Sequence, residues 1–192
     1  MLRPIKALYV RIRTEGLAAT IRGLASATLK PRCYHIYKLM GLKSIGDADF
    51  EIQSDLEALA AARSKTQGLS SEFYRDAAGR CKLCFFACLD GNPAGILWVL
   101  DAQYRSRIID LKPGEVELAF VHVEECFRGR GLAKALIRAS CRQLLERGTY
   151  AIYAVIETNN AASQAAFTAC GFQKIDTLRR PALVGRPYRT AG

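Results

Sequence analysis

The chain has 192 residues and a mass of 21.2 kDa, with 50% hydrophobic and 24% charged residues. This composition suits one globular domain and excludes collagen-like, low-complexity and wholly disordered chains, and the apolar runs are too short for a membrane-spanning helix. The net charge of +10 is concentrated at the ends: residues 1–45 carry nine Lys/Arg against one Glu, residues 46–172 carry 14 against 16 acidic residues, and residues 173–192 carry five against one. The pattern indicates a near-neutral domain with basic ends.

The first 33 residues are predicted to form a basic helical extension. Their apolar residues recur at helical spacing: Leu2, Ile5, Leu8, Tyr9 and Ile12. Such a helix suits an anionic membrane surface, so residues 1–30 are a candidate peripheral anchor. Packing on the chain's own domain, or on the second subunit of a homodimer, is an open alternative, and an organelle transit peptide is another. Because charges interrupt any secretory signal, we expect a cytoplasmic protein, placed at the inner face of a membrane if the anchor is used.

Between residues 34 and 100, helical and strand patterns alternate with breakers. We predict a strand over residues 34–39 and a helix that opens at Ser54-Asp55-Leu56-Glu57, which has the form of a capping box, and ends near Gly68. Residues 71–78 are predicted as a second helical piece. Residues 82–89 and 94–100 are predicted as a β-hairpin, because turn residues lie between them.

From Glu115 the pattern predicts a mixed α/β arrangement. The predicted elements are a strand (116–123), a basic turn (128–131), a helix (132–147), a strand (150–155), a helix (160–170) and a strand (172–178). A strand–helix–strand crossover of this kind is expected to be right-handed, with parallel strands. We therefore place the globular domain at residues 34–178 and a basic tail at residues 179–192, which is predicted as a loop, a short edge strand or a disordered end.

The seven cysteines favour a reducing compartment, because their number is odd and most lie in apolar stretches. Cys81 and Cys84 form a Cys-x-x-Cys at the head of a predicted strand, where an odd spacing points two thiols to opposite faces. The chain has only two histidines and no second cysteine pair at ligand spacing. We therefore expect buried thiols and no metal, with a zinc or redox site as the alternative.

The turn Arg128-Gly129-Arg130-Gly131-Leu132-Ala133 has the chemistry of an anion site. Glycines let successive backbone N–H groups turn inward, and the start of the following helix adds the positive end of its dipole. The glycine spacing differs from the dinucleotide fingerprint and from the nucleotide-triphosphate loop. The turn is predicted to hold a diphosphate, with an ordinary loop as the alternative.

Residues around this turn complete a known pattern. Arg128, Gly131 and Ala133 match Arg/Gln-x-x-Gly-x-Gly/Ala, and a strand-end Val123 and an aromatic Phe127 precede it. A second signature lies downstream, at Asn160-Ala-Ala-Ser163, Ala166-Phe167 and Gly171-Phe172. With these two signatures, residues 115–178 resemble the GNAT superfamily of N-acetyltransferases. The resemblance implies a mixed α/β fold with a centrally splayed β-sheet flanked by helices.

The resemblance also implies a site for acetyl-CoA, or another acyl-CoA, as co-substrate. The backbone N–H groups of the whole turn would hold the pyrophosphate: Arg128, Gly129, Arg130, Gly131, Leu132 and Ala133. Val121 and Val123 would lie beside the pantetheine arm, and a backbone N–H near Val123 would bind the thioester carbonyl. Three residues of the second signature would line the remaining side of the cofactor-binding site: Asn160, Ser163 and Phe167.

Glu117 matches the position of the catalytic glutamate in histone-acetylating members of the family, eleven residues before Arg128 on the same strand. An alternating strand places Glu117 on one face with Val121 and Val123, unless a bulge intervenes. We predict Glu117 as the base that deprotonates the amine, directly or through water. His122 and Glu124 are the alternatives, and the same alternation places both on the opposite face.

Two features leave the chemistry open. Phe167 stands where the family commonly has a Tyr that protonates the departing thiolate, so Ser163, solvent or an unassisted departure takes its place. Cys126 and Cys170 flank the signatures and raise an acyl-cysteine route, whereas the family usually transfers directly in a ternary complex.

The predicted function is N-acyl transfer from acyl-CoA to a primary amine of a small molecule, a sugar precursor or a peptide. The alternative is a catalytically weak, CoA-binding regulatory or scaffolding module. Nucleic-acid binding ranks below both, because no recognition motif accompanies the basic ends. In this family the acceptor side is formed by segments that correspond to residues 54–78 and 101–114, which carry no recognisable specificity pattern.

Overall fold

The computed structural model describes residues 32–43, 50–78, 81–103, 108–180 and 188–189, which form one sheet flanked by helices. The strands are β1 (Arg32–Leu39), β2 (Ile52–Gln53), β3 (Leu83–Leu89), β4 (Asn92–Leu100), β5 (Glu115–Val123), β6 (Ala151–Glu157), β7 (Phe172–Arg180) and β8 (Tyr188–Arg189). The α-helices are α1 (Leu56–Lys65), α2 (Leu132–Glu146) and α3 (Ala161–Ala169). The strand order β2-β3-β4-β5-β6-β1-β7-β8 confirms the mixed α/β prediction, with β5 and β6 parallel.

The ends of the chain are described only in part. β1 begins at Arg32, so the last two residues of the predicted 1–33 extension belong to the sheet. The amphipathic helix predicted before them lies outside the described residues. The tail was predicted as a loop, a short edge strand or a disordered end. Residues 188–189 form a short edge strand, β8, which pairs with β7.

Local chemistry explains where the early elements begin and end. The hairpin turns at Asp90 and Gly91, whose φ angles of 52° and 77° match a two-residue turn of the kind that strand twist favours. The N-cap of α1 is Asp55 rather than the predicted Ser54, because the Asp55 carboxylate accepts the backbone N–H of Glu57 (2.9 Å). The helix ends at Lys65, before the predicted Gly68, since Thr66 is already extended.

Residues 70–78, which we name the 3₁₀ segment, differ from the predicted second helical piece. They form two short 3₁₀ helices, Ser71–Tyr74 and Asp76–Ala78. Ser70 caps the first of them by accepting the N–H of Glu72. The Arg63 guanidinium of α1 binds the second through both carboxylate oxygens of Asp76, at 2.7 and 2.9 Å.

Two apolar clusters lie on opposite faces of the sheet. On the α2 face, Leu97, Val99 and Leu118 pack with residues of α2 and α3. On the α1 face, Trp98 and Ala119 pack with Leu59 of α1 and Phe73 of the 3₁₀ segment. Strand alternation produces this division, since β4 sends neighbouring residues to opposite faces.

The sheet is splayed at its centre, as predicted. β5 and β6 pair only at Glu115–Ala151, Val116–Ile152 and Glu117–Tyr153, although both strands continue beyond these pairs. From Leu118 onward, the edge of β5 that faces β6 has no ladder partner among the described residues. A gap between two parallel strands therefore opens immediately after Glu117.

The buried thiols fit a packed core. Cys81 and Cys84 are 1% and 0% exposed, and burial raises the pKa of Cys84 to about 12. Within the described ranges, no group of three or more His, Cys, Asp or Glu is placed to hold a metal ion. No helix in those ranges is long and apolar enough to cross a membrane.

The contact between Arg63 and Asp76 gives a stability prediction. Hydrogen bonds from Arg63 lower the pKa of the Asp76 carboxyl, so the stabilisation is present above the unfolded carboxyl pKa of ~3.9 and is lost as the pH falls through the lower folded value. We expect Asp76→Asn to lower the free energy of unfolding by about 1–2 kcal/mol at pH 7, measured by urea denaturation.

The matched control is Asp90→Asn, which removes an exposed carboxylate at the hairpin turn. This variant should change the free energy of unfolding by no more than about 0.5 kcal/mol. Equal effects of the two variants at pH 7, or a cost of Asp76→Asn that persists below pH 2, would rule out this contribution of the ion pair.

Candidate functional site

A cleft of about 430 Å³ lies where β5 ends and α2 begins. It is lined by Val121, His122, Val123, Phe127, Arg128, Gly129, Gly131, Leu132, Ala133, Lys134, Ile137, Ala162, Ser163, Ala166 and Phe167. Nine of the eleven residues predicted to bind the cofactor are among them. The two that do not line the cleft are Arg130 and Asn160.

The floor of the cleft is the glycine turn. Gly129 and Gly131 have φ angles of 78° and 84°, which residues with a Cβ rarely adopt. Gly131 is the N-cap of α2 and offers no capping side chain, and the first turn of the helix carries no acidic residue. The first N–H groups of α2, which have no intrahelical acceptor, are therefore left for a bound anion.

Three of the residues predicted to bind the cofactor make contacts that stabilise the turn and the start of α3. Arg128 donates from Nε to the carbonyl of Val123 (3.1 Å), which ties the turn to the end of β5. The Arg130 guanidinium lies over the Phe127 ring, 5.6 Å from its centroid. Asn160 is the N-cap of α3, and its Oδ1 accepts the backbone N–H of Ser163 (3.1 Å). Capping and stacking explain why Arg130 and Asn160 do not line the cleft.

The wall of the cleft is mainly apolar. Phe167 is 3% exposed and packs edge-on against Phe172, with 5.0 Å between the ring centroids. Sequence reasoning missed Lys134, Ile137 and Ala162. Helical spacing was the available signal for Ile137, because it lies one turn beyond Ala133 on α2.

A β-bulge at Phe120 changes which residues share a face of β5. Trp98 pairs with Ala119 and Ile96 pairs with His122, so two steps on β4 are matched by three on β5. Phe120 takes a φ of 53°, in the left-handed region. The extra residue reverses the alternation beyond it.

The bulge is the exception that the prediction allowed for, so Glu117 does not share a face with Val121 and Val123. Glu117 and Ala119 share the α1 face with His122, whereas Val121 and Val123 pack on the α2 face. The prediction that His122 and Glu124 lie opposite Glu117 is wrong for the same reason. The bulge separates Val121 and Val123, on the α2 face, from Glu117 and His122, on the α1 face.

Glu117 lies at the last paired position before β5 and β6 diverge, and it is 6% exposed. Its neighbour across the pair is Tyr153, whose hydroxyl donates to Glu115 (3.3 Å). Burial raises the pKa of Tyr153, and the Glu115 carboxylate raises it further. The buried carboxylate of Glu117 thus stands at the apex of the gap.

Of the alternative bases, His122 lies further along β5 and Glu124 directly follows the last residue of that strand. His122 Nε2 is 3.5 Å from Glu124 Oε1, and its ring packs edge-on against Phe73. The same Glu124 oxygen accepts the backbone N–H of Ser70 (3.0 Å). Glu124 therefore joins β5 to the 3₁₀ segment.

The two flanking cysteines differ in their surroundings. Cys170 is fully buried, its thiol donates to the carbonyl of Lys134 (3.6 Å), and burial raises its pKa. A buried thiol with a raised pKa is a poor nucleophile. Cys126 is exposed in the turn Glu125–Phe127 and does not line the cleft. The geometry offers no support for an acyl-cysteine route.

The sequence matches the model of a known protein family. Residues 51–172 match the family model described as the acetyltransferase (GNAT) family, which is well over half of the chain. The chain belongs to the GNAT acetyltransferase family. No curated protein matched the sequence.

Solved structures of GNAT proteins share the fold. A GNAT-family acetyltransferase from Novosphingobium aromaticivorans has a TM-score of 0.55 and 20% identity, covering 79% of this chain and 63% of its own. One from Colwellia psychrerythraea has a TM-score of 0.52 and 18% identity, covering 81% and 59%. The chain thus spans about six tenths of the length of these two proteins.

A third GNAT structure has a ligand. The aminoglycoside N-acetyltransferase AAC(6')-Iy, in complex with the bisubstrate analogue CoA-S-monomethyl-acetylneamine, has a TM-score of 0.51 and 21% identity, covering 76% of this chain and all of its own. At these identities the three likenesses establish a shared GNAT fold.

Proposed function

We propose that this GNAT protein transfers an acetyl (acyl) group from acetyl-CoA, or another acyl-CoA, to a primary amine of a small molecule, a sugar precursor or a peptide. Transfer is direct, within a ternary complex. The observation that carries the proposal is the placement of Glu117, buried at the apex of the gap between β5 and β6. The glycine turn lies at the far end of the same strand, so a cofactor on the α2 face and an amine on the α1 face can meet through that gap.

The cleft fits acyl-CoA by its chemistry. The N–H groups at the start of α2 and the guanidinium of Arg128 suit a pyrophosphate, and the first turn of α2 has no acidic residue to oppose it. The apolar side chains of Val121, Ile137 and Phe167 suit a pantetheine arm. Acetyl-CoA, when bound, supplies the acetyl thioester.

Glu117 acts on the acceptor in this proposal. A primary ammonium has a pKa near ~10 and cannot attack until it loses a proton. The Glu117 carboxylate accepts that proton, directly or through water. Backbone N–H groups on the unpaired edge of β5 stabilise the charge that develops on the thioester oxygen.

Phe167 supports the second candidate, a CoA-binding module with weak or no turnover. The phenyl ring can pack against pantetheine but has no proton for the departing thiolate. A thiol pKa near ~8.5 makes an unassisted departure feasible, so the enzyme proposal stands without a donor. Among the residues that line the cleft, Ser163 is the one with a hydroxyl group that could protonate the thiolate.

Thiol release from acetyl-CoA, measured with a panel of amines, separates the two candidates. The panel includes an aminoglycoside, because the AAC(6')-Iy complex holds an acetylneamine analogue, together with amino sugars and a peptide with a free N-terminus. Amine-dependent release supports the enzyme. Tight binding of CoA with no release above the rate of spontaneous hydrolysis would instead assign the binding module.

The basic extension gives a prediction about location. We propose a cytoplasmic enzyme held at the inner face of a membrane by residues 1–30, ahead of a catalytic domain whose first described strand begins at Arg32. Each Lys or Arg near anionic lipid contributes about 1 kcal/mol at low salt. Removal of residues 1–30 should abolish salt-sensitive cosedimentation with phosphatidylserine vesicles and leave acetyl-CoA affinity unchanged.

Two other results would reassign the extension. If the intact protein does not cosediment at low salt, the helix packs on protein, either on its own domain or on the second subunit of a homodimer. If the truncated protein unfolds, the apolar residues of the extension belong to the core.

A further inference from the structure

The bulge in β5 depends on an unfavourable backbone conformation. Phe120 has a φ of 53°, which is uncommon for any residue with a Cβ and most unusual for a bulky one. Such a conformation persists only where its surroundings hold it. The contacts that hold Phe120 therefore decide how β5 runs beyond Ala119.

Among the contacts that the structure describes, a cation–π contact from Arg75 of the 3₁₀ segment can hold Phe120 in this conformation. Its guanidinium lies over the Phe120 ring, 4.3 Å from the centroid. The guanidinium is itself fixed, because Nε and Nη2 donate to the two carboxylate oxygens of Glu72 at 2.8 and 2.6 Å. A planar cation held by a two-pronged ion pair makes a rigid platform for an aromatic ring.

Glu72 connects this platform back to the sheet. Its backbone carbonyl accepts the indole N–H of Trp98 (2.8 Å), and Trp98 is fully buried. Trp98 pairs with Ala119, the residue just before the bulge. The contacts thus form a closed ring from Phe120 through Arg75, Glu72 and Trp98 to Ala119.

The bulge controls the geometry of the site. It turns His122, in place of Val121, to the face of Glu117, and it sets the direction of the backbone N–H groups on the unpaired edge of β5. A shift of this backbone by about 1 Å is enough to cost two orders of magnitude in rate.

We propose that Arg75 is a positioning residue for acyl transfer, which holds the Phe120 bulge in place through its stack on the ring and its fork to Glu72. This inference rests on the proposed function. Arg75 does not line the cleft, so it acts through β5 and not through contact with the cofactor.

Arg63 of α1 provides a matched control, because it makes the same kinds of contact with the 3₁₀ segment. Its guanidinium also forks to a carboxylate, that of Asp76, and also lies over an aromatic ring, that of Tyr74, at 5.2 Å. It also donates to the backbone carbonyl of Phe73. Neither Tyr74 nor Asp76 belongs to β5, so Arg63 shares the chemistry of Arg75 without its direct contact with Phe120.

The test compares Arg75→Lys with Arg63→Lys, since lysine keeps the charge and loses the planar fork. We expect Arg75→Lys to lower kcat about tenfold, with the KM for acetyl-CoA within about twofold of the parent. Arg63→Lys should lower the Tm while kcat stays within about twofold of the parent. Equal losses of kcat in the two variants would overturn the proposal.

A glycine background tests whether the effect passes through Phe120. Glycine adopts a positive φ without strain, so Phe120→Gly removes the need for the stack. In that background, Arg75→Lys should change kcat by less than about twofold, which is the signature of coupled residues. A tenfold loss that persists in the glycine background would overturn the proposal.

A third readout does not depend on activity. Arg75→Lys should shift the backbone amide NMR signals of Phe120 and Val121, and Arg63→Lys should leave them in place. Unchanged signals in Arg75→Lys would overturn the positioning role. If the parent shows no amine-dependent thiol release but the signals do shift, the proposed function fails while the structural link between Arg75 and the bulge stands.

Discussion

Glu117→Gln should reduce amine-dependent turnover by about 10²-fold or more while the affinity for acetyl-CoA stays within about twofold. The amide keeps the size of the buried side chain but cannot take a proton from the acceptor. Because Val121 and Val123, which line the cleft, pack on the other face of the sheet, the substitution should not disturb CoA binding there. The parent rate should rise with pH as the amine deprotonates, and steady-state thiol release from pH 6 to 9 measures both effects.

Glu115→Gln is the matched control for this variant. Glu115 lies two residues earlier on the same face of β5, where it accepts the hydroxyl of Tyr153 and the backbone N–H of Lys112. Its substitution should leave turnover within about threefold of the parent. Full activity of Glu117→Gln at neutral pH would place the base elsewhere, with His122 the next candidate on that face.

Gly131→Val should weaken CoA binding by at least about tenfold. A Cβ at Gly131 meets no protein atom within 4 Å, so the space it would fill is open space at the predicted diphosphate site. The φ of 84° adds backbone strain of about 1–3 kcal/mol for a residue with a side chain. Arg128→Ala should cost less, about threefold, since it removes one exposed cationic contact. Isothermal titration calorimetry with CoA measures both constants.

Gly91→Val is the control for the effect of backbone strain alone. Gly91, in the hairpin turn, has a φ of 77° and is equally open, and it does not line the cleft. This variant should lose stability as Gly131→Val does but bind CoA like the parent. If CoA binds Gly131→Val and the parent equally, the diphosphate is not held at this turn.

The sequence predicted the second half of the fold well because its signals are local. Strand and helix periods alternate from Glu115, and Gly129 and Gly131 mark the turn between them. Asn160 opens the predicted helix 160–170 and is the N-cap of α3, so the start of that helix was predicted to within one residue. The cofactor residues were predicted from the resemblance to the GNAT superfamily, and nine of the eleven line one cleft.

The bulge could not be predicted, because its cause is tertiary. Phenylalanine has no preference for a positive φ, and nothing near Phe120 in the sequence marks an extra residue. Its partners, Arg75, Glu72 and Trp98, are distant in sequence and meet only when the 3₁₀ segment packs on the sheet. The face of His122 was predicted wrongly for this reason.

Direct transfer across the gap between β5 and β6 is tested best by following the acetyl group itself. The protein is mixed with acetyl-CoA labelled with ¹³C in the acetyl group and with an accepted amine, and both products and protein are examined by mass spectrometry after single turnover. Direct transfer predicts label on the amine nitrogen at the rate of thiol release, with none on the protein. Label on Cys126 or another side chain before it reaches the amine, or CoA release without an acetylated amine, would contradict it.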